Sequence, residues 1–279
     1  VRVKSIFICG FLLISSLAFA SELKEVIKKE FPLSSGGVFV LTNRNGDIVI
    51  TPWEEDKVAI TARKQVKAGN SLVAKRVFKE VKVVAEKRGD KVVVTTEYPE
   101  RKGFLSFLPG RDWEFKVDYE VYVPRKVFLE IESRNGDIEV GKTVGGAELV
   151  TRNGYINAEG LTGEIKASSR NGDIKLSFLA GGASASTRNG HIKVGFVELS
   201  SERKLRFSSR NGDIELLFPP DIKADIYLSS EYGSIYTDFP LTVERVRKKV
   251  LRGKINKGGV SVEVETRNGT IRIKKSKTG

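Results

Sequence analysis

The chain has 279 residues, with 48 Lys and Arg against 35 Asp and Glu, a formal charge of +13. That length holds one large or two small domains with a real core. One cysteine and one histidine exclude a disulfide framework and any thiolate or multi-histidine metal centre.

Residues 1–20 read as a secretory signal peptide. "VRVK" is a short basic start, "SIFICGFLLISSLAFA" is an apolar run, and Ala18-Phe19-Ala20 supplies small residues before Ser21. The run is short for a membrane-spanning helix, which needs about 20 residues. Cys9 falls inside this segment, so the exported chain is predicted to carry no thiol. Loss of Arg2 and Lys4 leaves a charge of +11 (13 − 2). Export to the periplasm or cell surface removes nucleic acid as a partner. It leaves anionic glycans, anionic lipid headgroups or a protein partner.

Residues 21–130 are predicted to hold a first repeat strand and an antiparallel β insertion. "NSLVAKRVFKE" at 70–80 reads as one short amphipathic helix, with Asn70 or Ser71 as its cap. Around it, "KVAITARKQV", "KVVVTTEY" and "WEFKVDYEVYVP" alternate apolar and polar residues as half-buried strands do. The insertion is expected to cap the first coil of the repeats beyond residue 130, whose open edge would otherwise invite aggregation. "GFLSFLPG" at 103–110 places Phe104, Leu105, Phe107 and Leu108 in a loop, a candidate contact for a partner or a membrane.

Residues 131–275 repeat themselves. "RNG" recurs with its glycine at 46, 136, 154, 172, 190, 212 and 269, and a degenerate "SSEYGSIY" centres on Gly233. From Gly136 onward, in chain order, the intervals are 18, 18, 18, 22, 21 and 36. Isoleucine stands two residues after every one of these glycines, and an apolar residue or alanine five before. Each copy therefore reads as strand, corner, strand with one buried face. Asn-Gly suits the corner because it tolerates positive φ. Two architectures fit: a parallel β-solenoid of roughly 18-residue coils, or an antiparallel meander closed by Asn-Gly hairpins. The fixed period favours the solenoid, because stacked coils resist insertions. Residues 276–279 are expected to be a disordered tail.

The ordered set "NRNGDIVI", "PWEEDKVAITA", "YEVYVPRKVFLEIESRNGDIEV", the serial "RNG-x-I" copies, "SSEYGSIYTDFP" and "LRGKINKGGVSVEVETRNGTIRIKK" resembles the bacterial putative-adhesin family of β-strand-repeat domains. The resemblance covers about residues 36–275. It implies an exported, β-helix-like domain at the cell envelope and brings no established ligand or catalytic residues.

The residues themselves offer little chemistry. His191 occupies the slot held by Asp137, Asp173 and Asp213 in sister copies, and reads as a variable surface position. "NGD" brings calcium-binding β-rolls to mind, yet an Arg beside each Asn opposes a divalent cation. Stacked coils would align Arg134, Arg152, Arg170, Arg188 and Arg210 in an outward row able to grip a linear polyanion. The plainer reading pairs each Arg with a neighbouring Asp or Glu. The expected function is a non-catalytic, adhesin-like binding or structural module without cofactors. A β-helix enzyme acting on an acidic polysaccharide is the alternative.

Overall fold

The structure is a computed structural model that describes residues 21–98, 113–199, 204–247 and 249–276. Segment 1–20, read above as a signal peptide, and the loop 103–110 lie outside the described residues, as do 277–279 of the expected tail. Ser276 still belongs to the fold, its N–H donating to the Phe218 carbonyl at 2.8 Å.

The described residues form 22 strands and one helix. No helix among them is long and apolar enough to cross a membrane. The two arms at an Asn-Gly corner, such as Ala147–Asn153 and Ile156–Glu159, do not pair antiparallel with one another as hairpin arms would. Each pairs in parallel with its equivalent in the neighbouring copy: Ala147–Asn153 lies between the strands of the copies before and after it, in matched register. The copies thus stack as rungs, and the chain turns a corner at each Asn-Gly. The core lies inside these corners. The isoleucines at 48, 138, 156, 174, 192, 214 and 271 are buried, and so is every residue five before the glycine. Ile235, in the degenerate copy, is half-buried because that copy ends the stack.

Chain order and stack order part company near the C-terminus. Read along the sequence, the degenerate Gly233 copy should lie between those of Gly212 and Gly269. Instead Leu205–Asn211 pairs directly with Val260–Asn268, and Ala224–Ser230 pairs with the far side of Val260–Asn268. The last copy in sequence is therefore the penultimate rung. The hairpin Leu241–Arg247 and Val250–Ile255 then runs antiparallel along the outer edge of Ala224–Ser230.

At the other end, the insertion is antiparallel within itself. Lys57–Ala68 lies between Ser21–Pro32 and Trp113–Pro124, and Lys82–Arg88 pairs with Lys91–Glu97. Its inner strands nevertheless join the first rung in parallel. Lys91–Glu97 runs beside Val38–Thr42, and Trp113–Pro124 beside Ile48–Trp53. The helix Ser71–Glu80 is capped by Asn70, whose side chain accepts from the Leu72 N–H. Its C-terminal carbonyls are held by buried Lys64, which donates to Phe78 and Val81 and pairs with Glu25 at 2.6 Å. A buried ammonium is tolerated only with such partners.

Candidate binding groove

The corner residues have separate tasks, and the structure revises two of those read from the sequence. The expected positive φ holds at Gly46, Gly136, Gly154, Gly172 and Gly212, and the stack adds a second demand for glycine. A Cβ on Gly154, Gly172, Gly190, Gly212 or Gly269 would lie 1.9–2.2 Å from the carbonyl oxygen of the glycine one rung below. Gly190 and Gly269 are not in the left-handed region at all. Three residues earlier, the buried Ser or Thr ties the same carbonyl. Thr151 Oγ1 donates to Gly136 O at 3.2 Å, Ser169 Oγ to Gly154 O at 3.2 Å, and Thr187 Oγ1 to Gly172 O at 3.1 Å. In the first rung Asn43 fills this slot. It donates to Val117 O and Gly46 O, which leaves the Ser133 hydroxyl above it without a partner among the described residues.

Aspartate does not turn outward to meet the arginine of its own corner. Asp137 Oδ1 accepts the Tyr155 N–H at 2.8 Å, Asp173 Oδ1 that of His191 at 2.7 Å, and Asp213 Oδ1 that of Thr270 at 2.8 Å. His191 performs the same task, its Nδ1 accepting the Asp213 N–H at 3.0 Å. This acceptor role puts the neutral ring's proton on Nε2. Burial works to raise the Asp213 pKa, but the Thr270 N–H and the Arg272 ion pair outweigh it and hold the carboxyl below its ordinary 3.8.

The asparagines form a ladder that sequence reasoning missed. Asn135 Nδ2 donates to Asn45 Oδ1, and the pattern continues through Asn153, Asn171, Asn189, Asn211 and Asn268, every bond 2.7 Å long. An asparagine before every RNG glycine was the available signal. Each amide keeps one donor and one lone pair for a ligand.

Beside this ladder stand the arginines. Arg134, Arg152, Arg170, Arg188 and Arg210 line one open groove of about 1040 Å³ together with Arg44 and Arg267, and the asparagines complete its lining. Arg44 and Arg267 belong to the first and last RNG copies and were legible as such. The expected pairing with carboxylates fails for the five central arginines, which are exposed and form no ion pair or side-chain hydrogen bond among the described residues. The Asp next along the chain is turned to the neighbouring rung's backbone. At the ends, Arg267 Nε meets Glu231 at 3.2 Å, and Arg44 lies 5.6 Å from the Tyr98 ring centroid. Six steps at a parallel-strand spacing of about 4.8 Å give a cationic row of about 29 Å.

Comparison with known proteins places this repeat. Residues 146–274 match the Toastrack DUF4097 family. The Toastrack segment spans the rungs from Gly154 to the end of the stack, while the Gly46 and Gly136 rungs precede it. The structure is similar to a putative adhesin from Bacteroides fragilis (13% identity, 90% of this chain and 97% of that one, TM-score 0.45). It is also similar to a putative cell adhesion protein from Clostridium sporogenes (12%, 90% and 100%, TM-score 0.31). A putative lipid binding protein from Parabacteroides distasonis aligns at 12% identity over 90% and 97% of the chains, with TM-score 0.25. No curated protein matches the sequence. Phe104, Leu105, Phe107 and Leu108 lie outside the described residues, and no group of three or more His, Cys, Asp or Glu that could hold a metal ion occurs among those described.

Proposed function

We propose that this protein is an exported, non-catalytic envelope module, freed of residues 1–20, that grips a linear polyanion along the Arg–Asn groove. One observation carries the reading: five successive guanidiniums are aligned by the stack and left without carboxylate partners among the described residues. Adjacent like charges about 4.8 Å apart repel by about 0.9 kcal/mol even at the dielectric of water. A fold that keeps such a row without internal neutralisation is poised for an external anion. The amide floor adds neutral donors beside each cation. The groove supports binding rather than turnover, because arginine stays protonated and asparagine does not titrate, so its lining offers no proton donor or acceptor of catalytic kind.

The test is a pair of opposite effects. Arg170→Gln and Arg188→Gln should weaken binding of polyphosphate and of polygalacturonate and flatten the salt dependence of that binding. The same changes should leave thermal stability unchanged or raise it, since they relieve repulsion. If they instead destabilise the fold, the arginines are structural and the reading fails. Shortened or unsaturated polygalacturonate products would establish the enzyme in its place.

A further inference from the structure

Building on the polyanion reading, we infer that the ligand is an acidic polysaccharide, one of whose sugar rings stacks on an aromatic platform at the Gly46 end of the arginine row. Arg44, the row's first member, faces Tyr98. The Tyr98 ring packs on Phe115 at 5.1 Å, and Phe115 stacks on Trp113 at 5.8 Å with an interplanar angle of 26°. The line of cations thus runs on into a line of rings.

Trp113 and Phe115 open onto a second cavity of about 540 Å³, which shares Asn45 and Asn135 with the groove. Gln65 and Lys67 stand at its wall, both held by Glu22: the Gln65 amide donates to that carboxylate and the Lys67 ammonium lies 3.7 Å from it. Its two carboxylates, Asp47 and Glu114, leave it less cationic than the groove, and Asp47 is already paired with Lys116 at 3.1 Å. The rings are half-buried, so their positions are fixed by packing while part of their surface stays open.

The ligand must therefore be anionic over most of its length and present an apolar face at one place. A uronate polymer has both features: carboxylates along the chain for the guanidiniums and C–H faces on each ring to lie against an aromatic. Polyphosphate has no apolar face. A single-stranded nucleic acid stacks its successive bases on rings spread along the cationic track, whereas this groove is lined by arginine and asparagine alone. The combination of a mostly polar track and one apolar pocket with a few convergent polar groups is that of a sugar-binding cleft.

The chain has two tryptophans, so a Trp53→Phe variant makes Trp113 the sole indole reporter. Titrating it with galacturonate oligomers and, separately, polyphosphate should show both binding by calorimetry. Only the oligomers should alter Trp113 emission. Trp113→Ala should weaken the oligomers about tenfold, the worth of one aromatic contact, and leave polyphosphate affinity unchanged, which also shows that the variant is folded. The platform is refuted if bound oligomers leave the emission untouched, or if Trp113→Ala weakens both polymers equally. An emission change with oligothymidylate larger than with galacturonate would replace the sugar by a nucleic acid. Failure of every polymer to bind overturns the groove itself, a separate outcome.

Discussion

Replacing Gly172 by alanine puts the stacking argument at risk in one experiment. The new Cβ would sit 2.0 Å from Gly154 O and 2.6 Å from its carbonyl carbon. Both atoms belong to the backbone of a paired rung, so no side chain can swing aside. Restoring even a tight 3.0 Å contact requires the rungs to part by about 1 Å, which weakens the bonds between them. Overpacking of this kind costs about 1–3 kcal/mol. The φ of +153° adds a backbone penalty of about 1–3 kcal/mol. One weakened interstrand bond contributes about 1 kcal/mol. The sum is about 3–7 kcal/mol, a large share of the 5–15 kcal/mol that holds a typical domain. Gly190→Ala isolates the contact, because its Cβ would lie 2.2 Å from Gly172 O without a left-handed φ. It should cost about 2–4 kcal/mol. Gly195→Ala is the control: the nearest atom is 4.0 Å away, and the change should fall within about 1 kcal/mol of neutral. Urea denaturation followed by circular dichroism gives the midpoints at constant m. Alanine tolerated at position 190 within about 1 kcal/mol would refute the close-contact explanation of the repeated glycine.

Two further outcomes rest on the corner chemistry. Thr187→Val removes a buried hydroxyl that donates to Gly172 O and should cost about 1–3 kcal/mol, whereas Ser133→Ala removes a hydroxyl without a partner and should be neutral or stabilising in the same denaturation assay. Asp213 and Glu215 are both held below their ordinary values of 3.8 and 4.5 by hydrogen-bonded partners that outweigh burial. A depressed folded pKa gives stability that is complete above the ordinary value and is lost as pH falls through the depressed one. Acid unfolding should therefore steepen below about pH 4, and Asp213→Asn should lower stability at neutral pH while flattening that acid limb.

Much of this architecture was written in the letters. Seven buried isoleucines at a fixed offset from glycine revealed the inward face, and Asn70 before an amphipathic run marked the helix start. The sister-copy position of His191 showed which slot it fills but read as a variable surface position, whereas its Nδ1 receives the Asp213 N–H as an aspartate carboxylate would. Other features were not legible for physical reasons. Sequence spacing counts residues along the chain, not layers through space, so nothing in the interval of 57 between Gly212 and Gly269 announced that these two copies touch. Nor could the Arg–Asp neighbours be read correctly. Their charges invite a pair, but once the rungs stack, each carboxylate finds an N–H of the adjacent rung within reach and turns away from the arginine. The asparagine ladder depends on that stacking too, since an amide bonded only to its own image has no counterpart in a single copy.

The out-of-sequence penultimate rung limits how this protein can grow. Residues 260–275 are wedged between a predecessor made 57 residues earlier and a cap made 36 residues earlier. During synthesis that cap has no seat until the final strands emerge, so the tip is sealed in one late event. Duplicating a coil at the C-terminus would find both faces already occupied. Lengthening, with a longer cationic track, has to come by insertion among the regular coils between Gly136 and Gly190, where successive copies are interchangeable.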